Sequence, residues 1–319
     1  MLLSEHKLIT KSPGKTILIG EHAAVYGFPA IAMALPDICL HITLHKHSKT
    51  ELFSHWDDSW HVIVQGKASE LTAHLRALLT KAFAKALVEC GAKAALKEHI
   101  PQKITIDSTI PLGGGLGGSA AISLSLLKLA QKVTKIKFNQ IELNHSANTL
   151  DSLFHGGQAS GLDTAAIISL GIIEFKKGDS PTLIKSKKNF WIALVDSGER
   201  AETAQMIARV ADLLKSSPDK VWGHLSELGK LAHLAKESIE EGTLDFLGKL
   251  LSEAHEHLRA IAVSSLKLDS IVSTLKDHGA LGAKLTGAGG GGLVLSIFKE
   301  HPHHIYELFD KQNVFISKM

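Results

Sequence analysis

Cysteine is scarce in this chain. Cys39 and Cys90 are the only two, and no C-x-x-C spacing joins them, so neither a zinc ribbon nor a disulfide framework is available. A reducing compartment is the natural reading. Long apolar runs are also missing: none approaches the ~18 to 20 residues that cross a bilayer. The first ten residues carry Glu5 and His6 where a signal peptide needs an apolar centre. The expectation is a soluble, cytoplasmic protein with no membrane partner. Like charges nowhere collect into a tail, and 35 Lys and Arg against 32 Asp and Glu leave a net charge of +3, so no nucleic-acid partner is implied. Lys185, Lys187 and Lys188 form the densest basic cluster and read as a solvated turn. Internal repeats and low-complexity tracts are absent as well.

What is present is enough for two cores: 319 residues, 45% of them hydrophobic. The seam is expected between Lys176 and Asn189, where Gly178, Asp179, Ser180 and Pro181 sit among lysines. This gives domains at 1–182 and 183–319. The opening is β-rich, with strands at Lys7–Thr10 and Thr16–Gly20 around a turn at Ser12-Pro13-Gly14, and alternation over 38–47 and 61–65. Helical spacing predicts helices over Leu71–Cys90, Ala120–Val133, Asn139–Phe154, Glu199–Lys215, Val221–Glu241, Leu244–Val263 and Leu266–His278. Strands are expected at Lys103–Asp107, Phe190–Val195 and Leu293–Phe298. Among nineteen histidines, His41, His45 and His47 share one face of a period-2 segment. Thr43 lies on the same face and no carboxylate interleaves, so a polar strand face is the better reading than a metal strip.

One phrase carries chemistry. The strand at Lys103–Asp107 leads into Pro111-Leu112-Gly113-Gly114-Gly115-Leu116-Gly117-Gly118-Ser119, and a helix follows through Ala120 and Ala121. Five glycines in six positions lose much backbone entropy on ordering, which makes sense where a ligand approaches the backbone closely. Amide N–H groups at a helix entrance suit phosphate. Gly113, Gly115 and Gly118 also match G-x-G-x-x-G, but the acidic residue expected about twenty positions on is missing near Lys137 and Phe138. A P-loop at Gly14-Lys15-Thr16 fails because its leading glycine would be Ile9. Ser119 at the helix entrance can cap the helix or face a metal.

Three glycine-bearing segments stand in a recognisable order: Pro13-Gly14-Lys15-Thr16 through Gly20-Glu21-His22 to Tyr26-Gly27, then Pro111 to Ala121, then Lys284-Leu285-Thr286-Gly287-Ala288-Gly289-Gly290-Gly291-Gly292. Together they resemble the three signatures of the GHMP kinases over nearly the whole chain, and the first is similar to the members that act on mevalonate. The resemblance implies an α+β, two-domain fold, with an N-terminal ribosomal-protein-like βαβ domain and a C-terminal ferredoxin-like sandwich. It implies ATP-dependent phosphorylation of the C5 hydroxyl of mevalonate in isoprenoid synthesis, with ATP and Mg²⁺ as cofactors. A kinase of phosphomevalonate, or of another hydroxyl of mevalonate, is the alternative, and family members often form homodimers.

Carried over by residue, the resemblance makes Asp163 and Lys15 catalytic. Asp163 takes the hydroxyl proton and Lys15 stabilises the alkoxide. Residues Pro111 to Ala121 bind ATP, Ser119 and Asp151 bind the metal, and Glu21, His22, Thr203, Thr286, Gly287 and Ala288 lie toward the substrate. The chain departs from the family pattern in several places. Gly118-Ser119 stands for a usual serine pair, Asp151 for a usual glutamate, Gln158-Ala159 for a common Asn-Pro, and His155 to Asp163 carries one extra residue.

Overall fold

A computed structural model describes residues 7–45, 61–66, 73–91, 103–111, 114–157 and 159–319. Glu5, His6, His47, Leu112, Gly113 and Gln158, all invoked above, lie outside the described residues. The chain divides into two compact units, each assembled from separate stretches. One takes residues up to Gly14, Cys39–Leu112 and Gly117–Thr164; the other takes Lys15–Ile38, Gly113–Leu116 and Ala165–Met319. Two long strands, β1 (Lys7–Ile19) and β2 (Ala30–His45), run through both stretches of the partition.

The first unit holds a βαβ crossover. Strand β3 (His61–Gly66) pairs in parallel with β4 (Lys103–Ser108), and α1 (Ala73–Glu89) makes the connection that parallel pairing requires. The later half of β2 pairs antiparallel with β4, Leu40 opposite Ser108 and His45 opposite Lys103. Helices α2 (Gly118–Thr134) and α3 (Gln140–Asp151) pack with α1. Helix α2 is capped at its start by Gly117, whose backbone is left-handed (φ 68°), and at its end by Lys135, also left-handed. Leu124, Leu126, Leu127 and Leu129 are fully buried, each contributing roughly 1.5 to 3 kcal/mol by leaving water. Buried hydroxyls link this helix to β1: Thr10 Oγ1 donates to the Ser125 carbonyl at 3.1 Å, and Ser125 Oγ donates to Ser12 Oγ at 2.7 Å.

The turn expected at Ser12-Pro13-Gly14 is not formed; β1 passes straight through it. Strand β1 lies off the main strand path and, among the described residues, pairs with β2 alone. Such an edge position tolerates a proline without an N–H. Strand β2 likewise starts at Ala30, well before the expected 38, and carries Pro36 within it.

The second unit is built on an antiparallel sheet of β7 (Trp191–Asp196), β8 (Gly282–Thr286), β9 (Leu293–Phe298) and β10 (Val314–Lys318), in spatial order β10-β7-β9-β8. Fourth, first, third, second is the strand order of the expected ferredoxin-like sandwich. Between β7 and β8 run α5 (Thr203–Ser216), α6 (Pro218–Glu241), α7 (Leu244–Ala260) and α8 (Leu266–Asp277), and the short α9 (Ile305–Leu308) precedes β10. Helix α7 lies hard against β8: a Cβ on Gly282 would come 1.9 Å from the Gly248 carbonyl oxygen, so neither position tolerates a side chain. The earlier half of β2 pairs with β5 (Ile172–Phe175), and β5 pairs with β6 (Thr182–Ile184), which lies inside the seam expected as a linker. Among the described residues no helix is long and apolar enough to cross a membrane.

Candidate active site

In the second unit the first and last glycine signatures are joined by hydrogen bonds. Lys15, buried on β1, donates its backbone N–H to the Leu116 carbonyl at 3.0 Å, tying β1 to the described end of the glycine loop. Thr286 Oγ1 at the end of β8 donates to the Ile17 carbonyl at 2.9 Å. Its single hydrogen is thereby used, so the 3.0 Å contact with Thr16 has the Thr16 hydroxyl as donor. A Cβ on Gly292 would sit 3.9 Å from the Gly114 carbonyl oxygen, which places the last glycine run beside the loop. Within that run Gly287 meets nothing and is needed for its positive φ, whereas a Cβ on Gly289 would fall 2.1 Å from the Val263 carbonyl oxygen. Part of the run therefore exists for packing.

Glu21 and His22 follow directly. Both are buried, and His22 takes φ 60° and ψ −45°, a conformation that for a residue with a Cβ costs about 1 to 3 kcal/mol and persists only when its surroundings enforce it. The enforcing contact is Nε2–H, which donates to the Ala288 carbonyl at 2.8 Å. Glu21 Oε1 accepts from the ammonium of Lys284 on β8, with both side chains essentially without exposure. Glu21 Oε2 is buried with no hydrogen-bond partner among the described residues. An orphaned carboxylate oxygen of this kind costs about 1 to 3 kcal/mol unless a donor arrives. Lys284 is a residue that sequence reasoning missed. In the structure it is a lysine inside a wholly buried strand, and such a charge needs a partner.

Burial pushes the His22 pKa below the ordinary value, with the Ala288 carbonyl opposing. It does the same to His255, against the opposing charge of Asp269. The unfolded chain therefore binds more protons than the folded one as pH falls through about 6.5. The stability that these two neutral imidazoles contribute is fully present above that pH and is lost as pH falls below it. Denaturant midpoints measured from pH 7.5 to 5.0 are expected to fall on acidification, less steeply in His22→Gln; equal slopes would show that His22 is protonated without penalty.

The first unit gathers the proposed metal ligands. Ser119 is not the N-cap; it stands inside the first turn of α2, one residue past the helix start, and its Oγ meets His155 Nε2 at 3.0 Å. The Ala121 N–H is bonded to the Gly117 carbonyl at 2.9 Å, leaving the amides of Gly118, Ser119 and Ala120 as the donors of the helix entrance without an intrahelical partner among the described residues. Asn139 and Glu142 form a reciprocal capping box that starts α3, and Asp151 closes it. Asp151 is buried, and its Oδ1 has no hydrogen-bond partner among the described residues. His155 Nε2 stands 3.6 Å from it, too far for a hydrogen bond. A buried carboxylate oxygen and a hydroxyl that face one imidazole nitrogen are oxygen donors that fit a hard divalent cation. Asp163 lies in the first turn of α4 (Leu162–Ser169) and belongs to this unit, Lys15 to the other. Thr203, exposed at the start of α5, takes no part in the bonded group around Glu21 and His22.

The GHMP kinases N terminal domain model matches residues 78–171, and the GHMP kinases C terminal model matches residues 235–311. A mevalonate kinase of Pyrococcus horikoshii is 30% identical over 308 residues, covering 91% of this chain and 88% of that protein. The chain belongs to the GHMP kinases. The fold agrees with those of two solved structures. The L. major mevalonate kinase in complex with R-mevalonate has a TM-score of 0.83 at 23% identity, covering 99% of this chain and 97% of that one. The Methanococcus jannaschii mevalonate kinase has a TM-score of 0.76 at 26% identity, covering 99% and 98%. GHMP kinases are ATP-dependent, so the open amides at the start of α2 belong to a nucleotide-using enzyme.

Proposed function

We propose that this chain phosphorylates the C5 hydroxyl of mevalonate with ATP, giving 5-phosphomevalonate and ADP, on the route to isoprenoids. The observation that carries the reading is the bonded group of Thr16, Glu21, His22, Thr286 and Ala288, which joins the first and last signatures of a GHMP kinase in one unit and leaves Glu21 Oε2 in want of a donor. A hydroxy acid such as mevalonate supplies hydroxyl donors. The curated relatives that match over most of the chain are named mevalonate kinases.

In this reading the amides of Gly118, Ser119 and Ala120 hold phosphate oxygens at the positive end of α2, with Pro111 and the glycines before them shaping the approach. Ser119 and Asp151 hold the divalent ion, which when bound supplies positive charge to the phosphate oxygens. Asp163 accepts the proton of the attacking hydroxyl. The new bond forms between that oxygen and the γ-phosphorus as the bond to the ADP oxygen breaks. Lys15 stabilises charge on the attacking oxygen, and Glu21, His22 and Thr286 orient the acceptor with Gly287, Ala288 and Thr203. Residues 1–182 and 183–319 serve as the N- and C-terminal domains of the family.

A coupled ADP-release assay across mevalonate, phosphomevalonate, homoserine and galactose tests the assignment. Turnover is expected on mevalonate, with the others slower by orders of magnitude. Preference for phosphomevalonate would move the chain to the neighbouring kinase, and silence on all four would leave a nucleotide sensor.

A further inference from the structure

His155 was given no role by the sequence, yet it stands among the proposed metal ligands. Helix α3 ends at Asp151, a single 3-10 turn runs from Ser152 to His155, and Gly156 in left-handed geometry ends that turn. The four-residue spacing brings the imidazole back over Asp151, and the same nitrogen, Nε2, faces two oxygens: Ser119 Oγ at 3.0 Å and Asp151 Oδ1 at 3.6 Å. Neighbouring ligands of an octahedral ion with bonds of about 2.1 Å lie ~3.0 Å apart, close to the first separation and within a small adjustment of the second. A direct hydrogen bond does not account for Asp151, because among the described residues its Oδ1 stays unsatisfied although the side chain is buried.

We propose that His155 is a third protein ligand of the divalent-cation site formed with Ser119 and Asp151, and that this nitrogen biases the site toward Mn²⁺ over Mg²⁺. Mg²⁺ prefers an all-oxygen shell, whereas imidazole nitrogen suits the later divalent ions better. The inference rests on the reading above that Ser119 and Asp151 hold the ion.

The test is pulsed EPR on the full chain with Mn²⁺ and the methylene-bridged ATP analogue, which lacks a bridging nitrogen. Direct coordination is expected to give ¹⁴N modulation of the Mn²⁺ signal, converted to a ¹⁵N pattern in protein grown on ¹⁵N-histidine. In His155→Gln the modulation is expected to vanish while Mn²⁺ still binds, about 10-fold more weakly, with Mg²⁺ affinity changed by less than about threefold. Mn²⁺ bound without histidine modulation, or modulation that survives in His155→Gln and His155→Ala, overturns the proposal and makes the Ser119 contact purely structural. Mn²⁺ affinity unchanged in Asp151→Asn and Ser119→Ala, or no Mn²⁺ binding at all, defeats the parent reading of the metal site and this inference with it. Loss of affinity in those two variants without nitrogen coupling defeats the inference alone.

Discussion

Asp163→Asn is expected to lower kcat by about 10² to 10⁴, the range that a positioned general base contributes, while ATP affinity stays within a few fold. The structure makes this a clean substitution. Asp163 is bracketed by Leu162 and Thr164, both buried, and the turn before it is held locally: the Leu162 N–H donates to Ser160 Oγ at 3.3 Å, and Thr164 Oγ1 donates to the Gly161 carbonyl at 3.2 Å. Asparagine preserves shape, so the first turn of α4 keeps its position, while the loss of a carboxylate's charge at a helix N-terminus itself costs about 0.3 to 1 kcal/mol of stability. The interaction removed is one made in the transition state, so kcat and kcat/KM should fall together. Single-turnover kinetics with nucleotide titration separates the two quantities. Collapse of ATP affinity, or undiminished turnover, would assign Asp163 a structural role.

How far the sequence could be read varied with how local each signal was. Helices α5 to α8 were visible because each carries its own apolar stripe. The strands and helix of the βαβ unit and the glycine entrance to α2 were visible because each signal is contiguous. The segments 38–47 and 61–65 read as paired strands, whereas β3 pairs with β4, which lies between them. Strands β8 and β10 were not seen. Strand β8 is buried along its whole length, so no alternation exists to be read, and its opening glycine is there for contact with Gly248. The break assigned to Ser12-Pro13-Gly14 followed residue preference, which an edge strand and buried hydroxyls override. In the site, Ser119, Asp151, Glu21, His22 and the His22 partner Ala288 came from the family resemblance, but His155 and Lys284 were given no role. His155 had a readable signal, a histidine four residues after an acid at a helix end. Lys284 had none that named its partner, since Glu21 lies 263 residues away.

Lys284→Met is expected to destabilise the folded protein by about 3 to 5 kcal/mol, the range seen when one member of a buried ion pair is removed. Lys284 and Glu21 are both sealed from water, and burial already presses the Lys284 pKa downward against the opposing pull of Glu21. Without the ammonium, Glu21 would keep two unsatisfied oxygens or take up a proton, and either outcome penalises the fold. Methionine fills similar volume, so the effect isolates charge from cavity. The thermal midpoint should drop by roughly 6 to 10 °C. Adding Glu21→Gln should return more than half of the loss, because the stranded charge is then gone. The double variant should stay impaired toward the acceptor, with KM for mevalonate raised, because the amide replaces an acceptor-only carboxylate whose Oε2 awaits a hydroxyl. Stability that recovers together with full substrate affinity would confine the pair to folding; stability that recovers while KM stays high would place the pair in the handling of the acceptor, with Lys284 acting through Glu21.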